Sequence, residues 1–241
     1  MPKHIFFDLD NTLTPSKSLI EEHHVPILRK LIDRADVIVV SGHGDKDIRK
    51  HLRPELEGKY FTLGQNGNCA KLKDGTILWN NSLSTSQKEA VIGFIEKARK
   101  HLGFQVKDEN DIIDDRDSQI AFSLIGHHEN KAVKDAFDPD HAKRRKLLKE
   151  LKDDVERLEQ ENKIEMRTGG TTAIDIFQFG KNKGYNVGEF LIAMHWEKDD
   201  CLYIGDALFP GGNDETVIGV IPTHAVKNHV ETYEFLENLL Q

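Results

Sequence analysis

The sequence predicts an α/β chain: a doubly wound core around a parallel sheet, interrupted by an inserted α+β domain. Three observations predict it. Apolar runs such as "HIFFDL" and "DVIVVSG" are continuous rather than alternating, as in strands buried on both faces of a parallel sheet. Amphipathic stretches lie between them, where crossover helices belong. From about Ser84 the pattern shifts to partly alternating strands and polar helices, then returns to the first style near residue 179.

The elements follow in order. "HIFFDL" is the first strand, residues 21–33 a helix, "DVIVVSG" the second strand, "DKDIRKHLRPEL" a short helix and "YFTLG" the third strand. Asp74-Gly75 inside "NCAKLKDGTILW" signals a hairpin. "SLSTSQKEAVIGFIEKARKHLG" is a capped amphipathic helix ending at Gly103. "FQVKD" and "SQIAFSLIG" are expected as strands, "DPDHAKRRKLLKELKDDVERLEQEN" as one long charged helix, and "KIEMRT" and "TTAIDIFQF" as two more strands. "NKGYNVGEFLIAMHW" then gives a helix, "CLYIGD" a strand, "ETVIGVIP" a helix-turn-strand region and "HVETYEFLENLL" a closing helix. The expected core is 1–83 with 179–241, and the insertion is 84–178.

Composition narrows the function. A formal net charge of −8 over 241 residues is the wrong balance for a non-specific nucleic-acid binder. The long charged stretch mixes acids and bases, which predicts a solvated helix face with i,i+4 pairs. Cys69 and Cys201 form neither a disulfide framework nor a C-x-x-C pair, and free thiols in a reducing cytosol are expected. The N-terminus has no apolar signal region, and no run approaches the length of a membrane span. The expectation is a soluble cytoplasmic protein with no membrane or nucleic-acid partner. An anionic substrate then needs local positive charge or a metal.

Ligands of an open parallel sheet sit beyond the carboxyl ends of its strands. Asp8 and Asp10 end the first strand, Ser41 the second and Asp206 "CLYIGD", while Lys183 opens the helix leading to that last strand. A lone D-x-D is equally readable as a strand followed by a polar turn. Convergence with Ser41, Lys183 and Asp206 points instead to phosphoryl transfer. Hard carboxylate oxygens suit Mg²⁺, a carboxylate can act as nucleophile, and cations and hydroxyls must hold the charge on the transferring oxygens. "SGHGDKD" places Ser41 and Gly42 before a helix start, where backbone N–H groups can face a phosphate. Lys181 competes with Lys183 as the functional lysine, and Asp214 is readable either as a metal ligand or as the N-cap of the next helix.

"FDLDNTLT", "VVSG", "GKNKG" and "GDALFPGGND" resemble, in order, the four motifs of the haloacid dehalogenase superfamily. The resemblance implies a Rossmann-like core with an inserted type IIB α+β cap. It implies Asp8 as nucleophile, Asp10 as general acid/base that also lends its backbone carbonyl to Mg²⁺, Thr12 as support, and Ser41, Gly42 and Lys183 as phosphate contacts. Asp206 then ligates Mg²⁺, with Asn213 and Asp214 nearby. Over nearly the whole chain the sequence resembles the eukaryotic-type phosphomannomutases, through "PGGND", "QNG", "RDSQIAFSLIGHHENKAVK" and "GGTTAIDIF". Those mutases carry three arginines in the cap segment; here Arg116 matches the first, while His127 and Lys134 stand at the others. Asp175 is kept, and Ala173 replaces a serine. Lysine is a point charge and histidine can be neutral, so a weaker distal-phosphate site is implied. That favours a phosphatase acting on a phosphorylated sugar or related metabolite over a mutase, with a non-catalytic sugar-phosphate sensor a remote third reading. The mutase resemblance also implies a homodimer through the cap.

Overall fold

The computed structural model describes residues 1–103 and 106–241. Its chain divides into two units, Met1–Asn80 with Asn182–Gln241, and Asn81–Lys181. The first unit opens with β1 (His4–Phe7), α1 (Val25–Ile32), β2 (Asp36–Val40), α2 (Asp45–Leu52), β3 (Phe61–Gly64), β4 (Cys69–Lys71) and β5 (Ile77–Asn80). The second unit contains α3 (Thr85–Leu102), β6 (Ile113–Asp115), β7 (Gln119–Ser123), α4 (Lys131–Phe137), α5 (Ala142–Glu150), α6 (Lys152–Asn162), β8 (Ile164–Gly169) and β9 (Ala173–Gln178). The chain returns to the first unit with α7 (Lys183–Met194), β10 (Cys201–Gly205), β11 (Thr223–Ala225) and α8 (His229–Leu239).

The first unit's sheet has the order β11-β10-β1-β2-β3-β4-β5. Its strands from β11 to β3 are parallel, and β4 and β5 add an antiparallel hairpin at one edge. The period-2 pleat explains why the strands read as continuous apolar runs. Ile5, Phe7, Val37 and Val39 face one layer with Leu28 and Leu31 of α1 and Leu236 of α8. Phe6, Ile38 and Val40 face the other, with Val187, Phe190 and Leu191 of α7. Because β1 lies between β10 and β2, the residues that leave all three carboxyl ends emerge side by side.

The second unit is a four-stranded antiparallel sheet, β6-β7-β9-β8, with its own apolar core. Ser84 and Gln87 form a reciprocal capping box on α3, and Gly103 closes that helix in a left-handed conformation.

Four expectations are corrected. The single charged helix is two, α5 and α6, broken at Leu151 (φ −102°, ψ 28°). The break leaves Leu147, Leu151 and Leu158 together in the core of that unit. The charges there are not all solvated, for Arg144 is fully buried, and its Nε donates to Asp138 Oδ2 at 2.7 Å. Its Nη1 donates to the carbonyls of Gly169, Gly170 and Ala173 at 2.8–3.0 Å, tying α5 to the turn between β8 and β9. The strand expected over "FQVKD" starts on residues 104 and 105, outside the described residues, and 106–108 form no strand. In "ETVIGVIP" a 3-10 turn (Glu215–Val217) leads only to a single bridge between Ile218 and Ile221, and the strand proper is β11. Val220 and Ile221 instead pack against the α7 side of the sheet.

Candidate active site

The loop after β1 folds because Asn11 takes a left-handed conformation (φ 57°) and three successive amides, Thr12, Leu13 and Thr14, donate to the Leu9 carbonyl. This turn projects Asp8 inward, and its amide is held by the Ile204 carbonyl of β10. The Thr12 hydroxyl accepts from the Asp206 amide (3.1 Å) and donates to Asp206 Oδ1 (3.4 Å), locking the ends of β1 and β10 together.

Lys183 is 1 % exposed, and its Nζ donates to Asp8 Oδ1 at 2.8 Å and Asp214 Oδ1 at 2.6 Å. Asn182 caps α7 through the Tyr185 amide, which aims the first residue of the helix into the site. Asp214 does not cap the turn it precedes. Its carboxylate takes the Lys183 ammonium, the Tyr203 hydroxyl at 2.7 Å and the Ala207 amide at 3.3 Å. Two glycines make this approach sterically available. A Cβ on Gly205 would lie 2.3 Å from Asp214 Oδ2, and one on Gly184 would lie 1.8 Å from the Thr216 carbonyl.

Ser41 is buried beyond β2, and its Oγ accepts from the His43 amide at 3.1 Å. Gly42 lies between them, at the start of the loop that leads into α2. In "QNG", Gln65, Asn66 and Gly67 all have positive φ, and a Cβ on Gly67 would lie 2.4 Å from the Asn186 side chain of α7. Asn186 in turn donates to the Asn66 carbonyl at 2.9 Å, pinning that turn to the helix that carries Lys183.

Burial pushes the Asp8 carboxyl well above its usual range; the Lys183 ammonium opposes this, and the Asp214 and Asp206 charges add to it. Burial and then the Asp214 charge push Asp206 up to about 6, against a hydrogen bond from Asn11. Burial would pull Lys183 down, yet the Asp214 and Asp8 carboxylates hold it above the usual lysine range. Asp10 behaves oppositely. Burial would raise it, but His43 Nε2 at 2.8 Å from Oδ2 and the Lys17 amide at 2.5 Å from Oδ1 bring it down to about 2.

Of the residues expected at or near a metal, the structure brings the side chains of Asp8, Asp206 and Asp214 together, with one oxygen of each within 4.8 Å of the others. The Asp10 carboxylate is instead engaged by His43 and Lys17, which leaves its carbonyl as the group relevant to the expectation. The three clustered acids fit Mg²⁺: the donors are hard oxygens, and burial together with the Asp214 charge raises both Asp8 and Asp206, a penalty that a bound cation would relieve.

A pH dependence follows. A cation held by Asp8 and Asp206 would compete with their protons, so Mg²⁺ binding is expected to weaken as pH falls through about 6. The expected slope is at least about tenfold in affinity per pH unit below that value. Without the ion the sign for stability is the reverse. The folded state holds the Asp206 proton more tightly than the unfolded chain, so this group's contribution is favourable below its ordinary value of 3.8 and is lost as pH rises towards 6. Calorimetric Mg²⁺ titrations at about pH 7 and about pH 5 check the first statement, and equal affinity at both would contradict it.

In the second unit, Arg116 Nε donates to Asp114 Oδ2 at 2.7 Å, and Lys134 Nζ donates to the His127 carbonyl at 2.6 Å. His127 Nε2 lies 3.0 Å from the Ala121 carbonyl, and burial pulls its imidazole below the usual value. Asp175 on β9 is paired in register with Ala121 of β7 and Arg167 of β8. A Cβ on Gly169 would lie 2.4 Å from the Asp175 carboxylate.

His43 and Tyr203 were not singled out by sequence reasoning. His43 lies inside "SGHGDKD", and its only sequence signal is a histidine within the candidate phosphate loop after the second strand. Tyr203 looks like any aromatic in a buried strand. Lys181 belongs to the second unit, whereas Lys183 holds the two carboxylates.

This arrangement, a carboxylate cluster and a buried lysine at the carboxyl edge of a parallel sheet, defines an acid-rich enzyme site of the α/β class. The family model for haloacid dehalogenase-like hydrolases matches residues 5–216, and the chain belongs to that family. It is similar to phosphomannomutase 1 of Dictyostelium discoideum, 24 % identical across 97 % of this chain and 94 % of that protein. It is equally similar to the phosphomannomutase of Saccharomyces cerevisiae, 24 % identical across 98 % of this chain and 93 % of that one. Among solved structures, a haloacid dehalogenase-like hydrolase from Bacteroides thetaiotaomicron shares the fold, with TM-score 0.65, 15 % identity, and 99 % and 100 % of the two chains covered. Plasmodium falciparum IMP-nucleotidase also shares it, with TM-score 0.68, 15 % identity, and 99 % of this chain and 68 % of that chain covered.

Proposed function

We propose that this enzyme is a Mg²⁺-dependent phosphohydrolase that passes the phosphoryl group of a phosphorylated sugar or related metabolite through an aspartyl-phosphate on Asp8. The observation that carries the reading is the buried Asp8 carboxylate, held by Lys183 on Oδ1 and clustered with Asp206 and Asp214. An oxygen of Asp8 attacks phosphorus, and the bond from phosphorus to the sugar oxygen breaks. Asp10 delivers a proton to the leaving oxygen, then takes one from the water that cleaves the acyl-phosphate. Asp10 is ionised in the resting site, so the first proton enters through the Asp10–His43 pair, whose atoms are 2.8 Å apart. Lys183, Ser41, Thr12 and the amides around Gly42 orient the phosphate or support those that do. Bound Mg²⁺ supplies a Lewis acid that offsets charge on the transferring oxygens. Asp206 and Asp214 would hold it, with Asp8 and the Asp10 carbonyl.

Arg116, His127, Lys134 and Asp175 are proposed as the second unit's substrate contacts. Hydrolysis is favoured over mutase action because a histidine stands where the mutases carry an arginine, and burial pulls the His127 imidazole below its usual value, away from the charged form. Two cationic side chains then stand where the mutases use three. The second reading, a mutase converting mannose 6-phosphate to mannose 1-phosphate, is supported by relatives of that name along nearly the whole chain. A homodimer through the second unit belongs to that resemblance, and light scattering reads it.

Phosphate release with Mg²⁺ from mannose 1- and 6-phosphate, glucose 6-phosphate and an aryl phosphate separates the two readings. Release without any bisphosphate activator is the expected result. No release, with isomer exchange only after a hexose 1,6-bisphosphate is added, would replace the hydrolase by the mutase.

A further inference from the structure

A second group of ionisable side chains meets in the first unit, at residues the catalytic reading leaves unused. Glu21 and His23 precede α1, His24 is its N-cap residue, and His229 is the first residue of α8. Glu21 Oε2 lies 3.4 Å from His229 Nε2, 3.5 Å from His24 Nδ1 and 3.8 Å from His23 Nε2. These separations exceed the usual N–H···O range of about 2.7–3.2 Å. They start at, and run slightly above, the roughly 3.4 Å between neighbouring ligands of a tetrahedral metal whose bonds are about 2.1 Å long. Ligand atoms of Glu21, His23 and His24 all lie within 4.8 Å of one another.

An independent observation points to a missing partner. His24 is 4 % exposed, and its Nδ1 has no hydrogen-bond partner although it faces the Glu21 carboxylate. The large majority of buried polar side-chain atoms have a partner. The ring is fixed in place: it stacks on Tyr233 at 3.8 Å and 12°, and the Tyr233 hydroxyl donates to the Leu13 carbonyl at 3.0 Å. The His24 amide donates to the Glu21 carbonyl, and Asn228 caps the first turn of α8 beside His229.

We propose that Glu21, His23 and His24 form a second metal site, for Zn²⁺ or a neighbouring transition metal, and that His229, which reaches the Glu21 carboxylate from α8, turns onto the ion as its fourth ligand and staples the start of α1 to the start of α8. The donor set decides the metal class. The clustered imidazoles of His23 and His24 with one carboxylate, and a third imidazole beside that carboxylate, select Zn²⁺, Cu²⁺ or Ni²⁺, whereas the all-oxygen catalytic cluster suits Mg²⁺. The site therefore stands apart from the catalytic reading and does not depend on it.

The test uses the full chain without a polyhistidine tag, stripped with chelator and held in excess Mg²⁺ to occupy the acidic cluster. Zn²⁺ is titrated by calorimetry, and Co²⁺ is followed by its visible absorption. One equivalent of Zn²⁺ per chain, a tetrahedral Co²⁺ spectrum and a higher thermal midpoint with Zn²⁺ are expected. Glu21→Gln and His229→Gln should each weaken Zn²⁺ binding at least about tenfold and leave phosphate release with Mg²⁺ unchanged. His23→Gln guards against misfolding, because that side chain is 72 % exposed; it too should lose affinity. No tight equivalent in the wild type, or the same affinity in wild type and all three variants, would overturn the proposal and leave adventitious surface binding.

Discussion

Asp8→Asn is expected to give a folded chain that releases no phosphate. The amide is nearly isosteric and can still accept from Lys183 Nζ, which lies 2.8 Å from Oδ1. It cannot act as the nucleophile, so kcat should fall by more than about 10³-fold. The same change should not destabilise the protein. Burial and the Asp214 and Asp206 charges make ionised Asp8 unfavourable in the folded state, as its raised carboxyl shows. A neutral side chain removes that repulsion, so the thermal midpoint at about pH 7 should hold or rise. Parallel activity and melting measurements check both halves; lost activity with a lowered midpoint would mean that the variant simply unfolds.

Lys183→Met is expected to fail the other way, losing stability as well as activity. The ammonium is the hydrogen-bond donor shared by Asp8 and Asp214, all three side chains being buried. Removing one partner of a buried ionic cluster leaves uncompensated charge, which costs on the order of 3–5 kcal/mol. Methionine fills much of the volume, so the loss is chiefly electrostatic. The sign of its pH dependence follows. Without the cation, Asp8, whose carboxyl is already raised by burial, is easier to bury as a protonated acid, so the variant's deficit should shrink between about pH 7 and about pH 5. Thermal unfolding of both proteins at the two pH values reads this, and a deficit independent of pH would assign the loss to packing.

How much of this was legible depends on the range of the interaction. The strands carrying Asp8, Ser41 and Asp206 were readable because burial on both faces writes continuous apolar runs into β1, β2 and β10. Their convergence followed from one topological rule about carboxyl ends. The break at Leu151 was not readable, because no proline or glycine marks it; it follows from the packing of Leu147, Leu151 and Leu158. The buried Arg144–Asp138 pair was hidden in a charge-rich stretch whose other members look the same in sequence. Asp214 was ambiguous as metal ligand or cap, and only the long-range contacts with Lys183 and Tyr203 distinguish its surroundings. His43 was missed because its partner, Asp10, lies on a neighbouring strand's loop rather than on its own. The Glu21–His229 contact likewise joins opposite ends of the chain.

The central claim is covalent phosphoryl transfer to Asp8, and an acid quench during turnover tests it most directly. Under saturating sugar phosphate and Mg²⁺, mass spectrometry of the digested protein should find one phosphoryl group on the peptide that contains Asp8. The same peptide from Asp8→Asn should carry none. Turnover with no phosphoryl group on that peptide, or with the group on a different residue, would contradict the account.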